Sequence, residues 1–192
     1  MKTRCKWSIT NLLLAEYHDK EWGVPIHDDL LLFGHLSLGS AQAGLSWLTI
    51  LKRREGYKHA FEGFDPQKIS QFSPGTIEEL LDNPGIIRNK QKVNSVINNA
   101  NCVLKIKNEF ESFKQYLWKF VNGKPVQNSW EKESELPVNT KTSDNMSEEL
   151  KSRGFKFTGS TICYAFMQAV GMVNDHTVDC FRYPGIQNNQ NC

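Results

Sequence analysis

Apolar residues recur at helical spacing along most of the chain. The longest run spans residues 89–106, and its apolar face carries Val93, Val96, Ile97, Ala100, Val103 and Leu104. Shorter runs of the same kind predict helices over residues 11–17, 29–38, 41–61, 76–81, 113–121, 145–153 and 161–172. No segment alternates apolar and polar residues in the manner of a half-buried strand. The pattern therefore predicts an all-α fold.

Turn-forming residues divide these helices. Asp28 is a suitable N-cap for the helix over residues 29–38, and Leu38-Gly39-Ser40 is a plausible break before the next helix. Residues 125–141 are polar and predict a loop. We expect residues 1–184 to form one helical domain and residues 185–192 to be a mobile tail.

The segment Leu80 to Lys92, LLDNPGIIRNKQK, lies between two predicted helices. Pro84 discourages continuation of the first helix, and Gly85 permits a tight reversal before the second. A second helix that starts here has unpaired N–H groups beside Arg88, Lys90 and Lys92, an arrangement that suits a phosphate group. The segment is either an ordinary connection between helices or a helix-hairpin-helix that binds the DNA backbone.

Composition limits the function only weakly. The chain has 192 residues and a formal net charge of +2, so any contact with nucleic acid must come from a local patch. No run approaches the roughly 18 apolar residues of a membrane span, and the first residues do not resemble a signal peptide. We expect a cytoplasmic protein. Its five cysteines lack disulfide-like spacing, which favours buried thiols or metal ligands.

Two groups of residues carry candidate chemistry. Aromatic side chains crowd residues 5–22, where they either line a pocket or cover the core as a cap. His176 and Cys180 are four residues apart, and Cys5 and His18 form a similar pair near the N-terminus. Two cysteines and two histidines complete a closed tetrahedral zinc site, although buried thiols and hydrogen-bonded histidines are common without one.

Several longer motifs occur together and in order: CKW, YHDKEWGVP, QAGLSWLTILKRRE, PGIIRNKQK and LKSRGFKFTGSTICYAFMQAVGMVNDH, followed by Cys180. Together they resemble the 3-methyladenine DNA glycosylase I family over almost the whole chain. The resemblance implies an all-α helix-hairpin-helix DNA glycosylase fold with a structural zinc site that joins the N- and C-termini. It places the four zinc ligands at Cys5, His18, His176 and Cys180.

The resemblance also implies an activity. Members of the family are monofunctional glycosylases of base excision repair, which flip an alkylated adenine out of double-stranded DNA and hydrolyse its N-glycosidic bond. By resemblance the base-binding residues are Trp7, Tyr17, Trp22 and Trp47, with Tyr17 also a catalytic candidate. The DNA-binding candidates are Gly85, Ile86, Arg88 and Lys90. A monomer is expected.

The chain departs from the family pattern in its pocket. Gly39 stands at the catalytic position where the family has a glutamate that contacts the flipped base, and Ala41 replaces a neighbouring glutamine. Ala165, where the family commonly has serine, is a smaller departure. Glu16 is a candidate substitute, or simply a solvated surface carboxylate. Three functions therefore stay open: a weakened or altered 3-methyladenine glycosylase, a poor enzyme that binds DNA or a damaged base, and a glycosylase whose enlarged pocket takes another base.

Overall fold

A computed structural model describes residues 2–188. Its α-helices are α1 (Leu12–Lys20), α2 (Asp29–Gln42), α3 (Trp47–Leu51), α4 (Arg54–Ala60), α5 (Pro66–Ile69), α6 (Pro74–Asp82), α7 (Lys90–Glu109), α8 (Phe113–Trp118), α9 (Lys141–Ser152), α10 (Ser160–Ala169) and α11 (Tyr183–Asn188). Short 3-10 helices span Lys6–Thr10, Glu62–Phe64, Lys119–Val121 and Glu133–Glu135. The predicted mainly helical fold is confirmed. None of the helices within residues 2–188 is long and apolar enough to cross a membrane.

Two very short strands were not predicted. β1 (Val126–Gln127) and β2 (Val173–Asn174) pair in parallel, with Val126 opposite Val173. Two residues are too few to show an alternating pattern, so the sequence gives no sign of them. The pair joins the predicted polar loop to the segment that leads to His176.

The predicted break at Leu38-Gly39-Ser40 is wrong, because α2 continues through Gly39 to Gln42. A glycine inside a helix costs only about 1 kcal/mol relative to alanine, and the packing of this buried helix outweighs that cost. The chain turns instead at Gly44, where φ is +75°. Ser46 then caps α3 through the N–H of Thr49. Asp28 caps the other end of α2 as predicted, accepting a hydrogen bond of 2.9 Å from the N–H of Leu31.

Two other helix boundaries differ from the prediction. The helix expected over residues 41–61 is two helices, α3 and α4. The helix expected from residue 145 starts at Lys141, where Thr140 and Ser143 form a capping box in which each side chain accepts a hydrogen bond from the other's N–H. Several residues that can cap a helix lie close together in these segments, so the sequence alone does not fix the residue at which each helix begins.

The apolar faces of the helices meet in two clusters. The larger contains buried residues of α2, α7, α8, α9 and α10. The smaller lies beside the chain ends and contains Cys5, Leu14, Tyr17, Trp22, Leu51 and Cys180. Trp47 packs against both clusters. The aromatic base-binding candidates and the zinc-ligand candidates of the sequence lie in or beside this smaller cluster.

The predicted mobile tail differs from the structure. Residues 183–188 form α11, and the side chain of Ile186 is fully buried. A single apolar residue within a polar segment gave too weak a signal to predict this helix. The rest of the predicted tail, residues 189–192, lies outside the described residues.

Candidate functional site

A cavity of about 240 Å³ opens where α1, α2, α3 and α10 meet. Its wall consists of Trp7, Tyr17, Trp22, His35, Gly39, Gln42, Trp47, Leu136, Ala165, Phe166, Gln168 and Ala169. Sites for drug-sized ligands typically measure about 300 to 1,000 Å³, so this cavity suits one small molecule.

Four aromatic rings dominate the cavity wall. The centroids of Tyr17 and Trp47 are 5.3 Å apart with planes tilted by 51°, and those of Trp7 and Trp22 are 5.1 Å apart with planes at 76°. Burial raises the pKa of the Tyr17 hydroxyl, so this group stays neutral at physiological pH. Rings of this kind attract planar π systems and cations. The cavity therefore suits a flat, electron-poor molecule.

Gly39 leaves part of the wall without a side chain. A Cβ at this position would touch only Ile162, at 3.9 Å, which is an ordinary van der Waals contact. Gly39 lies inside α2 and does not have a positive φ, so its backbone would accept any helical residue. Among the described residues that line the cavity, none is aspartate or glutamate. The wall thus has space for a carboxylate but contains none.

Two polar atoms of the wall are buried without a partner among the described residues. These atoms are Nδ1 of His35 and Nε1 of Trp47. Burial lowers the pKa of His35 to about 4, so its ring is neutral at physiological pH. Buried polar atoms are nearly always hydrogen-bonded in native proteins. Both wall residues therefore carry a polar atom whose hydrogen-bonding capacity the described residues leave unused.

Asp175 is not among the residues that line the cavity, but it binds one of them through a buried hydrogen-bond network. Its carboxylate accepts hydrogen bonds from Tyr164 Oη at 2.6 Å, Asn128 Nδ2 at 2.7 Å, and Trp130 Nε1 and Gln168 Nε2 at 2.8 Å. The side chain of Gln168 lines the cavity, and Asp175 is only 1% exposed. This network therefore fixes one polar side chain of the wall.

Asp175→Asn is expected to lower the free energy of unfolding by about 1 to 3 kcal/mol, because its amide NH₂ would face hydrogen-bond donors. Denaturant titration measures this change. Asp179→Asn is the matched control, since Asp179 lies exposed four residues along the chain. Equal effects of the two substitutions would show that the network contributes nothing to stability.

Cys5, His18, His176 and Cys180 form one buried cluster whose ligand atoms all lie within 4.8 Å of one another. Cys180 Sγ is 3.4 Å from His18 Nε2 and 3.5 Å from His176 Nδ1. Cys5 Sγ is 3.7 Å from His176 Nδ1. Metal bonds of about 2.0 to 2.3 Å in a tetrahedron place ligand atoms roughly 3.3 to 3.8 Å apart, so the donor set fits a zinc ion.

Both histidines of the cluster are held by their outer nitrogens. His18 Nδ1 lies 2.8 Å from Asp19 Oδ1, and His176 Nε2 lies 3.1 Å from the carbonyl oxygen of Trp22. Arg4 donates to the Asp19 carboxylate at 2.8 and 2.9 Å and thereby lowers the pKa of that carboxyl to about 2. Partners of this type orient imidazoles that bind metals.

The two thiols of the cluster have opposite pKa shifts. Hydrogen bonding from Cys5, followed by His176 and His18, lowers the pKa of Cys180 to about 2. Hydrogen bonding with Cys180, together with burial, raises the pKa of Cys5. The thiolate is the form of cysteine that binds metals, and the surroundings of Cys180 favour that form.

Residues 83–89 connect α6 to α7 on another part of the surface. The side chain of Asn89 caps α7 by accepting a hydrogen bond from the N–H of Lys92. The N–H groups of Arg88, Lys90 and Gln91 have no hydrogen-bond partner among the described residues. The residues Arg88 and Lys90 are themselves exposed. The start of α7 therefore presents free N–H groups and two cations to solvent.

Lys92 in the first turn of α7 and Gly85 in the connection make contacts within the fold, so the ammonium of Lys92 is not free for a phosphate, contrary to the prediction. The ammonium of Lys92 donates hydrogen bonds to the carbonyl oxygens of Ala41 at 2.8 Å and Ala43 at 2.7 Å, at the C-terminal end of α2. The chain turns at Pro84 and Gly85 as predicted, with the N–H of Ile86 donating to the carbonyl oxygen of Asn83 at 3.4 Å, although Gly85 does not have a positive φ. Gly85 packs against Gly56 of α4, where an added Cβ would lie 2.3 Å from the Gly85 carbonyl oxygen.

Residues 7–183 match the family model described as methyladenine glycosylase. The chain belongs to this family. It is 46% identical over 182 residues to DNA-3-methyladenine glycosylase 1 of Escherichia coli (strain K12), and the match covers 95% of this chain and 97% of that protein. The resemblance to methyladenine glycosylases predicted from the motifs is confirmed.

Solved structures of 3-methyladenine DNA glycosylase I have the same fold. One crystal structure superposes with a TM-score of 0.92 at 45% identity, covering 95% of this chain and 100% of that one. A variant of such an enzyme in complex with 3-methyladenine superposes with a TM-score of 0.91 at 37% identity, covering 94% and 97% of the two chains.

In this methyladenine glycosylase family member, the predicted site residues fall into three places. Trp7, Tyr17, Trp22, Trp47 and Gly39 line one cavity, and the four predicted zinc ligands form one cluster. Gly85, Ile86 and Arg88 lie on the helix connection and Lys90 is the first residue of α7, and of these four Ile86 is buried. Glu16 lies outside the cavity wall and forms an exposed ion pair of 2.7 Å with Lys20.

Sequence reasoning missed three polar residues of the cavity wall. His35 and Gln42 lie on α2 four residues before and three residues after Gly39. Their helical spacing from Gly39 is a signal that finds both. Gln168 comes from α10, and no local pattern connects it with the other wall residues.

Proposed function

We propose that this chain is a monofunctional DNA glycosylase that removes alkylated adenine, chiefly 3-methyladenine, from double-stranded DNA. The observation that carries this proposal is the cavity with its wall of aromatic rings. Its size suits one base, and it occurs in a fold shared with an enzyme that binds 3-methyladenine.

The residues of the cavity suit this reaction. Methylation at N3 gives adenine a positive charge and makes it a good leaving group, so the enzyme does not need to protonate it. The flipped base binds between the rings, where each cation–π contact contributes roughly 0.5 to 2 kcal/mol. Tyr17 is neutral and adds no competing charge. Water then captures the oxocarbenium-like sugar, and excision depends mainly on extruding and recognising the base.

The Cys5, His18, His176 and Cys180 cluster is proposed to bind one structural zinc ion. Four protein ligands complete a tetrahedron and leave no position for a reacting water molecule. The ion joins residues near both ends of the sequence and stabilises the small cluster that contains Tyr17 and Trp22. Its contribution to excision is therefore indirect.

Gly39 is proposed to weaken or alter this activity. The family glutamate supplies a charged acceptor beside a cationic base, and the described residues of the wall include no carboxylate. Loss of a charge-assisted hydrogen bond costs about 1.5 to 3 kcal/mol. The missing carboxylate also favours a second candidate function, in which the protein binds DNA or a damaged base without efficient excision.

A base-release assay on methylated double-stranded DNA, beside a DNA-binding titration, tests the proposed function. Release of 3-methyladenine above the spontaneous rate supports the glycosylase. Tight binding without release supports the second function. Release of a different base from a panel of lesion duplexes would show that the cavity has changed its substrate.

We further propose that the start of α7 binds the DNA backbone, because it presents three free N–H groups beside Arg88 and Lys90. Lys90→Gln is expected to weaken binding of every duplex alike and to reduce the slope of log affinity against log salt by about one. Fluorescence anisotropy over a range of salt concentrations measures both. A substitution at Gly85 would not test DNA binding alone, because Gly85 packs against Gly56 and the change would also disturb the fold.

Lys105→Gln is the matched control for this experiment. It removes the same charge from an exposed position near the other end of α7. If Lys90→Gln and Lys105→Gln bind DNA equally well, the segment is only a connection between helices.

A further inference from the structure

We infer that His35 is the hydrogen-bonding group that recognises the flipped base, in place of the carboxylate missing at Gly39. The inference rests on the proposed function and names a specificity-determining residue within the same cavity. It concerns a residue that none of the sequence motifs singled out.

The geometry of α2 places His35 where a side chain at position 39 would act. The two positions are four residues apart on one helix, and both line the cavity. Helical side chains point toward the N-terminus and cover the preceding turn. A long side chain at position 39 would therefore lie over the turn that carries His35. Because Gly39 has no side chain, no side chain at position 39 separates the imidazole ring of His35 from the cavity.

The hydrogen-bonding state of His35 also points to a ligand. Neither ring nitrogen makes a hydrogen bond with any described residue, and Nδ1 is buried. A neutral imidazole offers one donor and one acceptor. The edge of an adenine has an amino donor and ring-nitrogen acceptors, so one imidazole nitrogen can accept from the amino group or donate to a ring nitrogen, according to its tautomer.

The charged groups near His35 keep the ring neutral. His35 also lines a neighbouring surface cavity that contains Glu21 and Arg54, which form an ion pair of 2.5 Å. Glu21 raises the pKa of His35, Arg54 lowers it, and burial lowers it most. Recognition by His35 therefore depends on hydrogen bonding and does not require a positive charge on the base, whereas a carboxylate would favour a cation.

A double-mutant cycle tests this inference. It compares the parent, His35→Leu, Gly39→Glu and the double variant in two assays: kcat/KM for base release, and the affinity for free 3-methyladenine measured by tryptophan fluorescence. His35→Leu keeps a helix-forming apolar side chain but removes both nitrogens. In the parent it is expected to reduce both quantities by about tenfold, because a buried base edge loses its partner. In Gly39→Glu, where the carboxylate takes over, the loss should be about twofold or less.

Two further variants separate recognition from packing. His35→Gln retains a donor and an acceptor and is expected to recover most of what His35→Leu loses. His59→Leu removes an exposed histidine on α4 and should change neither quantity. Equal losses from His35→Leu in both backgrounds, or no rescue by His35→Gln, would overturn the inference while leaving the glycosylase function intact. A parent that neither releases nor binds 3-methyladenine would overturn the proposed function, and the role of His35 with it.

Discussion

Gly39→Glu is expected to release 3-methyladenine roughly ten- to a hundred-fold faster than the parent, because a regained charge-assisted hydrogen bond contributes about 1.5 to 3 kcal/mol. The structure favours this substitution. Gly39 has a helical backbone, and an added Cβ would meet only Ile162 at 3.9 Å. Single-turnover base release from methylated DNA measures the gain, and Ala41→Gln can be added if the carboxylate alone is not enough.

Gly39→Gln is the matched control for this prediction. Glutamine has nearly the same shape as glutamate but no charge, so it should recover less of the rate. The melting temperature and DNA affinity of both variants must stay close to those of the parent. If Gly39→Glu meets these conditions and releases base no faster, the carboxylate is not the missing recognition group.

Cys180→Ser is expected to lower the melting temperature by about 10 °C or more, because it removes one ligand of the proposed zinc ion and loosens both ends of the chain. Structural zinc contributes roughly 10 to 16 kcal/mol of apparent binding free energy in small domains, and 1 kcal/mol changes the melting temperature of a chain of this size by about 2 to 4 °C. Metal analysis of parent protein purified without added zinc should give about one zinc per chain.

Cys102→Ser provides the comparison for Cys180→Ser. Cys102 is also buried but lies in α7, outside the metal cluster. Its substitution should leave the zinc content unchanged and lower the melting temperature less. A parent without zinc, or equal falls in melting temperature for the two variants, would contradict the proposed site.

Helical periodicity predicted the location of most helices because their apolar faces are long enough to show it, as in α7. It failed at Gly39, where a residue with poor helix propensity lies inside a helix that tertiary packing holds together. It also failed at Ile186, since one buried apolar residue forms no pattern. The local sequence therefore predicts the presence of a long helix better than it predicts where that helix begins and ends.

The residues of the candidate site also differ in how well the sequence predicts them. Cys5 and His176 are 171 residues apart. The two Cys/His pairs suggested a shared metal site without excluding ordinary buried thiols and histidines, and the resemblance to a family assigned all four residues as ligands. His35 had no motif of its own, and Gln168 reaches the cavity from a different helix. The spacing of His35 from Gly39 on one helix could have found His35, whereas Gln168 becomes visible only when several elements enclose one space.

The contact of Lys92 with the end of α2 has a consequence for where on a strand the protein can act. Lys92 lies two residues after the proposed phosphate contact at Lys90, while α2 carries Gly39 and His35 in the cavity wall. The two hydrogen bonds of its ammonium thus join the proposed backbone-binding end of α7 to the helix that lines the proposed base pocket. These hydrogen bonds would fix the distance between the bound phosphate and the flipped nucleotide. The enzyme would therefore test only the base at that distance from the bound phosphate, and it would have to move along the duplex to test the next base.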